Sequence, residues 1–393
     1  AGKDGKAYSI KPTDGTGDFT FSRGSNLAAT RVGPTGLIEK GRENLLLQSN
    51  NFGTTWFNVR STETGGQTDK DGGSTAWLLE STDASTSYIQ QNVSSSGVQT
   101  FSVIAKKGTA DYIYLLVFGS NLAGQYFDLN NGTLANPVYT TIDASIEDLG
   151  NGWYRCSLFF QSNVTHVTIY PADSGTSSLS AVGSNVYIQA AQLEIGLAAT
   201  DYIESGASTG KAGLLEDEPR FDYSGGATCP ALLLEPQRTN IINQSEYFGA
   251  SDWVKTGLTI ASNKVTSPDG NLNGTEVTIS NGFHFLFDII SVSPSTTYTF
   301  SWYAKRGTAT NVSYSVYDDT NGVDIISSTS YYSQLSDTEW KRISVQFTTS
   351  ATTTSARPYV LRDGGQTGTI SIYGAQLEAG SYATSYIPTY GSA

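Results

Sequence analysis

The sequence predicts an all-β protein made of two tandem antiparallel domains, sandwiches or barrels, and three observations carry that prediction. Aromatic side chains outweigh charge: Tyr numbers 23 and Phe 16, against a charged fraction of 15%, a composition that suits strands with one polar face. Apolar residues recur at period two, and Asn-Gly pairs punctuate the strand-like runs. Four blocks of sequence also occur twice in the same order, and a chain of 393 residues has room for both copies.

Along the chain, residues 1–41 read as an N-terminal arm or attachment segment. "GRENLLLQSNNFGTTW" (41–56) then returns as "QRTNIINQSEYFGASDW" (237–253), setting Arg42, Asn44, Gln48, Ser49, Phe52 and Trp56 against Arg238, Asn240, Gln244, Ser245, Phe248 and Trp253. "TFSVIAKKGTA" (100–110) returns as "TFSWYAKRGTA" (299–309), and "NGWYRCSLFF" (151–160) as "DTEWKRISVQF" (337–347). The phrase "AQLEIGLAATDYIES" (191–205) closes the first copy and "AQLEAGSYATSYIPT" (375–389) the second. Such a unit far exceeds the 20–50 residues of a solenoid repeat, so the copies are whole domains, 42–205 and 238–393. The bridge 206–237 is expected to hold a short extended element, because residues 221–242 faintly echo 19–46.

Within the copies, Tyr154, Cys156, Leu158 and Phe160 share one strand face, opposite Trp153, Arg155 and Ser157; Ile343, Val345 and Phe347 lie opposite Trp340, Arg342, Ser344 and Gln346. One-sided burial explains this alternation and makes Cys156, aligned with Ile343, a small core hydrophobe rather than a reactive thiol. The other cysteine, Cys229, forms no metal or redox spacing with it. Hairpin turns are expected at Asn131-Gly132, Asn151-Gly152, Asn281-Gly282 and Asn321-Gly322.

The net charge of −13 argues against nucleic-acid and anionic-membrane partners, and no apolar run reaches membrane length. His166 and His284 fall in different domains, and no GxSxG, HExxH, phosphate-loop or dinucleotide fingerprint occurs. Enzymatic activity is therefore not expected. The shared Glu194 and Glu378 read as anchors of each closing strand.

In order, "RENLL", "F…W", Pro268-Asp269-Gly270, "YTFSWYAKRG", "GWYR" and "AQLEAGSYATSYIPT" resemble a domain common in tail fibres and other appendages of tailed bacteriophages. That domain is similar to the jelly-roll carbohydrate-binding modules of families four and nine. The resemblance implies tandem jelly-roll β-sandwiches and a place on the virion surface. It also implies a fibre or appendage protein that adheres to host glycans and contacts other virion proteins through its arm, as a homo-oligomer. The alternatives are a head or tail decoration without glycan recognition and, further off, a polysaccharide-degrading tailspike.

Candidate ligand-binding residues follow from side-chain chemistry. Trp153 with Arg155, and Trp340 with Arg342, set an aromatic plate beside a guanidinium on the face away from the core, a fit for sugar C–H faces and hydroxyls; the same pairs also fit a scaffold cap on the sheet edge. Tyr126, Tyr331 and Tyr332 differ between the copies and are expected on loops, where specificity concentrates. No cofactor is expected. The acidic turns holding Asp69, Asp71, Asp269, Asp318 and Asp319 offer oxygen ligands for a structural Ca²⁺ and equally fit ordinary turn chemistry.

Overall fold

The computed structural model describes residues 30–223, 230–280, 282–362 and 366–392. The first 29 residues of the expected arm, Cys229 and Asn281 lie outside the described residues. The chain forms two compact units: 42–212, and a split unit made of the segment ending at 41 together with residues from 213 onward. The first unit is thus an insertion in the chain of the second.

Each unit is an antiparallel two-sheet sandwich. In the inserted unit one sheet runs, in spatial order, Thr133–Tyr139, Ala123–Asp128, Tyr112–Gly119, Val164–Ala172, Tyr88–Ser95, Phe57–Val59. The other runs Asp143–Gly150, Trp153–Gln161, Val98–Lys107, Asn185–Ile195, Ala76–Ser81, Ser61–Gln67. Between them lies a core that includes Phe101, Leu115, Phe127, Cys156, Phe160 and Leu193. Cys156 is fully buried and desolvation raises its thiol well above the usual range, so the core reading of this residue holds.

The split unit repeats the plan with one strand fewer on each main path. One sheet runs Val254–Thr256, Phe285–Phe287, Ser355–Arg362, Ser313–Asp318, Val323–Ser330; the other runs Leu258–Val265, Gly274–Ile279, Gly368–Ala379, Thr297–Arg306, Lys341–Thr348. Ile343, Val345 and Phe347 point into its core, as the alternation predicts. The duplicated Phe and Trp also meet in both units, Phe52 with Trp56 at 5.1 Å and Phe248 with Trp253 at 4.8 Å. Among the described residues the helical content is one 3₁₀ turn, Tyr332–Gln334. At Asn151-Gly152 both residues have positive φ, 55° and 78°, the backbone a tight hairpin turn requires.

The structure departs from the sequence reading around the arm and bridge. Thr30–Val32 and Ile38–Lys40 form a hairpin within the split unit. Thr30 Oγ1 donates to Tyr386 O at 2.6 Å, and Ile38 N to Pro268 O at 2.9 Å. Lys40 is buried, with Nζ 2.9 Å from Glu246 and 3.0 Å from Asp269, so residues 30–41 are body rather than arm. Gly210–Ala212 pairs with Arg42–Asn44, extending the inserted unit past residue 205 to 212. Farther along, Phe221–Asp222 pairs with Ala231–Leu232. Period-two reasoning has no purchase on such two- and three-residue strands.

Candidate functional site

The closing phrases build one clasp twice. Glu194 accepts from Gln192 Nε2 (2.9 Å), Thr200 N (2.9 Å) and Thr200 Oγ1 (2.7 Å); Glu378 accepts from Gln376 Nε2 (2.7 Å), Thr384 N (2.9 Å) and Thr384 Oγ1 (2.7 Å). Both glutamates are buried, and burial raises the Glu194 carboxyl against the pull of its donors. They anchor the closing strand, as expected.

The Trp-Arg pairs belong to this scaffold. Arg155 donates to Thr200 O at 3.1 Å and Arg342 to Thr384 O at 2.6 Å. Trp153 does face away from the main core, but it is 2% exposed, packed with Ala76, Ile104 and Ala190. Trp340 is half-buried, its ring under Lys305 at 5.3 Å and its Nε1 donating to Thr266 O at 3.0 Å. The sugar platform expected at Trp153 and Arg155 is corrected: a ring without free surface cannot stack on a ligand. Replacing Trp153 by Ala is expected to lower the inserted unit's stability by about 3–5 kcal/mol, read by urea denaturation.

Two of the expected loop tyrosines are also internal. Tyr331 is fully buried, its hydroxyl donating to Val360 O at 3.1 Å. Tyr126 lies on a strand, 4% exposed. Tyr332 is half-buried beneath Arg306, whose guanidinium carbon is 4.5 Å from the ring centre.

The acidic turns have structural partners. Asp69 accepts from the amides of Asp71, Gly73 and Thr75 and from Thr75 Oγ1; these bonds, the Thr75 hydroxyl first, bring its carboxyl down to about 2. Asp71 is exposed and pairs with Lys70. Asp269 pairs with Lys40, Asp318 is held by Asn321 and Thr353, and Asp319 pairs with Arg357. Among the described residues no group of three or more His, Cys, Asp or Glu side chains could hold a metal.

What the sequence reading missed lies on the sheet faces turned away from the cores. In the inserted unit, strand register aligns Tyr126 with Tyr114 and Tyr114 with Tyr170. Tyr126, Tyr114, Tyr170 and Tyr88 form a row with successive ring centres 4.1, 5.2 and 4.8 Å apart. Burial raises the Tyr170 hydroxyl to about 12, and Ala135 and Val138 pack against this cluster. Beside the covered row the face is open: Phe118 and His166 stack at 4.3 Å, His166 pairs in register with Asn92 and Gln90 with Phe57, and Phe57 is 56% exposed.

The corresponding face of the split unit is richer. Tyr359 and Phe287, 6% and 7% exposed, pack at 4.4 Å and floor this face; the half-buried Phe285 lies 5.8 Å from Tyr359 and meets the exposed Phe283 at 4.7 Å. Arg362 lies 5.1 Å from the Tyr359 ring centre and 5.8 Å from that of Tyr317; Arg357 lies 5.6 Å from Tyr317. Asp324 and Asp319 orient these guanidinium groups. The rings with free surface here, Phe283, Phe285 and Tyr317, lie beside fixed, planar donors and can stack on sugar C–H faces while the guanidinium groups bond hydroxyls. The alternation in "ARPYVLR" (356–362) carried a signal for this face, but strand pairing alone brings in Tyr317 and Phe285.

Asp288 follows Phe287. Burial, aided by the charge of Asp252 and opposed by the Ile289 amide, raises its carboxyl from 3.8 to about 6. The folded state therefore holds the proton more tightly than the unfolded chain, and the stability this contributes at low pH is lost as pH rises through about 6. Asp288→Asn is expected to stabilise the split unit by about 1–2 kcal/mol at pH 7 and to flatten stability between pH 4 and 6, measured by urea denaturation across pH.

Against this geometry stands one family match: residues 241–363, which hold every member of the Tyr359 face, match the model described as "Carbohydrate binding domain". Among solved structures the chain is similar to the enzymatically active domain of tailspike protein 4 of bacteriophage CBA120, at 14% identity and TM-score 0.28, covering 36% of this chain and 21% of that one. It is also similar to the N-terminal CBM22-1-CBM22-2 tandem of Paenibacillus barcinonensis Xyn10C, at 12% identity and TM-score 0.29, covering 86% and 98%. The CBM22-1 xylan-binding domain of that protein aligns at 10% identity and TM-score 0.27, covering 37% and 95%. No curated protein sequence matches the chain.

Proposed function

We propose that this chain is a non-catalytic glycan-binding protein of a bacteriophage fibre or appendage, adhering to host-surface polysaccharide through the outer faces of its sandwiches. The observation that carries the reading is the face floored by Tyr359: the accessible rings of Phe283, Phe285 and Tyr317 beside oriented arginines, lying wholly within the segment that matches a carbohydrate-binding model. The virion setting is supported by the resemblance of the repeated blocks. Two units with weak shallow sites, multiplied by self-association, raise avidity without new contacts. Residues 1–29 are left to attach the chain to other virion proteins.

A glycan array of host-derived polysaccharides tests this. Phe283→Ala is expected to weaken binding roughly three- to tenfold, the worth of a stacked ring at about 0.5–1.5 kcal/mol, while Trp340→Ala leaves it nearly unchanged. No binding to any polysaccharide, with tight binding to a virion protein, would favour a decoration role instead. Turnover of capsule by the purified chain would overturn the non-catalytic reading.

A further inference from the structure

The split unit has a concave feature apart from the Tyr359 face. Beside the exit of strand Gly368–Ala379 an open groove of about 610 Å³ is lined by Arg238, Thr239, Ser291, Val292, Ser293 and Tyr298. Its size falls among small-ligand sites, roughly 300–1,000 Å³. Val292 and Tyr298 are buried and apolar, while Thr239, Ser291 and Ser293 are exposed and carry hydroxyls.

Arg238 sets the chemistry. Of the five N–H donors of a guanidinium, one on Nη1 goes to Ala379 O, and Nε is buried without an acceptor. In the same unit Arg31, Arg220, Arg306, Arg357 and Arg362 each have a carboxylate partner, and Arg342 gives its donors to Thr384 O and Ser301 Oγ. Arg238 has none within ion-pair distance among the described residues. The group lies over Gly380, where a Cβ would fall 2.5 Å from Nη2, and 5.8 Å from the ring centre of Tyr382, which is 51% exposed. A cation is thus held in place with donors to spare, in a chain of net charge −13.

We infer that this groove binds a saccharide unit carrying an oxyanion, a carboxylate or a phosphate. The oxyanion takes the free guanidinium donors as a two-point hydrogen-bonded pair, and the ring lies among the hydroxyls of Thr239, Ser291 and Ser293 with Tyr382 at its edge. A neutral sugar leaves the charge uncompensated, so the site discriminates by charge.

Calorimetric titration of the full chain with glucuronic acid, glucose 6-phosphate and glucose tests the inference. At least one of the two acids is expected to bind, and glucose at least tenfold more weakly; the acid that binds identifies the oxyanion. Arg238→Gln is expected to cost tenfold or more, the double variant Ser291→Ala with Ser293→Ala a smaller factor, and added salt is expected to weaken binding. Phe283→Ala is expected to leave this binding intact, so failure here and failure of the glycan-face reading are separable. The inference is overturned if neither acid binds, if glucose binds equally well, or if the serine double variant binds like the native chain. The serine variant also decides the matter should Arg238→Gln unfold the protein.

Discussion

Lys40→Met is expected to destabilise the split unit by about 3–5 kcal/mol and to leave the inserted unit's stability unchanged. The ammonium sits 2.9 Å from Glu246 and 3.0 Å from Asp269, and the three side chains are 5%, 1% and 0% exposed. Tyr373 and Tyr390 close the cluster with their hydroxyls, 3.3 and 3.1 Å from the same nitrogen. Removing the cation leaves two carboxylates buried together without compensation, a far larger penalty than the net worth of the pairs. Combining Lys40→Met with Glu246→Gln is expected to recover part of the loss, because one orphaned charge disappears. Hydrogen exchange in urea, read by mass spectrometry on peptides from each unit, measures both. A loss below about 1 kcal/mol, or an equal loss in both units, would refute the lock.

Asn240→Ala and Asn44→Ala are expected to destabilise the split and the inserted unit respectively, each by about 3–5 kcal/mol. Asn240 Nδ2 donates to Ala375 O (3.1 Å) and Ile387 O (2.9 Å), while Oδ1 accepts from Ile242 N (3.2 Å) and Leu377 N (3.0 Å). Asn44 repeats the set: donation to Ala191 O (3.0 Å) and Ile203 O (2.9 Å), acceptance from Leu46 N (3.2 Å) and Leu193 N (3.1 Å). Both side chains are fully buried. Alanine therefore strands four backbone groups at once, each costing about 1–3 kcal/mol less whatever water can repair. The same exchange experiment separates the two units; a variant that melts the wrong one would contradict the duplicated clasp.

These asparagines show what repetition reveals. Arg42, Asn44, Gln48 and Ser49 align with Arg238, Asn240, Gln244 and Ser245 by letter alone, and the structure gives Asn44 and Asn240 the same four bonds. A short polar residue beside a closing strand has one geometry that satisfies it, so two copies of the letters make two copies of the clasp. The Lys40 lock carries no such signal. Glu246 stands where the inserted unit has Asn50, and Lys40 reaches it across 206 residues of chain.

The glycan face was legible only in part. Alternation in "KRISVQFT" sorts Ile343, Val345 and Phe347 from Arg342, Ser344 and Gln346, because a strand shows its two sides in its own letters. It does not say what lies over the second side. Trp153, Tyr126 and Tyr359 all point away from a main core, yet further side chains cover them, whereas Phe283 at the edge of the Tyr359 face stays open.

By itself the sequence determined two strand-built bodies, each with its own apolar interior and the same closing clasp, since these depend on local alternation and on residues repeated letter for letter. The tertiary structure alone decided that residues 30–41 complete the split unit, which polar-side aromatics are covered, and that Tyr317, Phe285 and Tyr359 share one face. The physical reason is register. Hydrogen-bond pairing between strands distant in the chain chooses which side chains become neighbours, and nothing within a single strand encodes that choice.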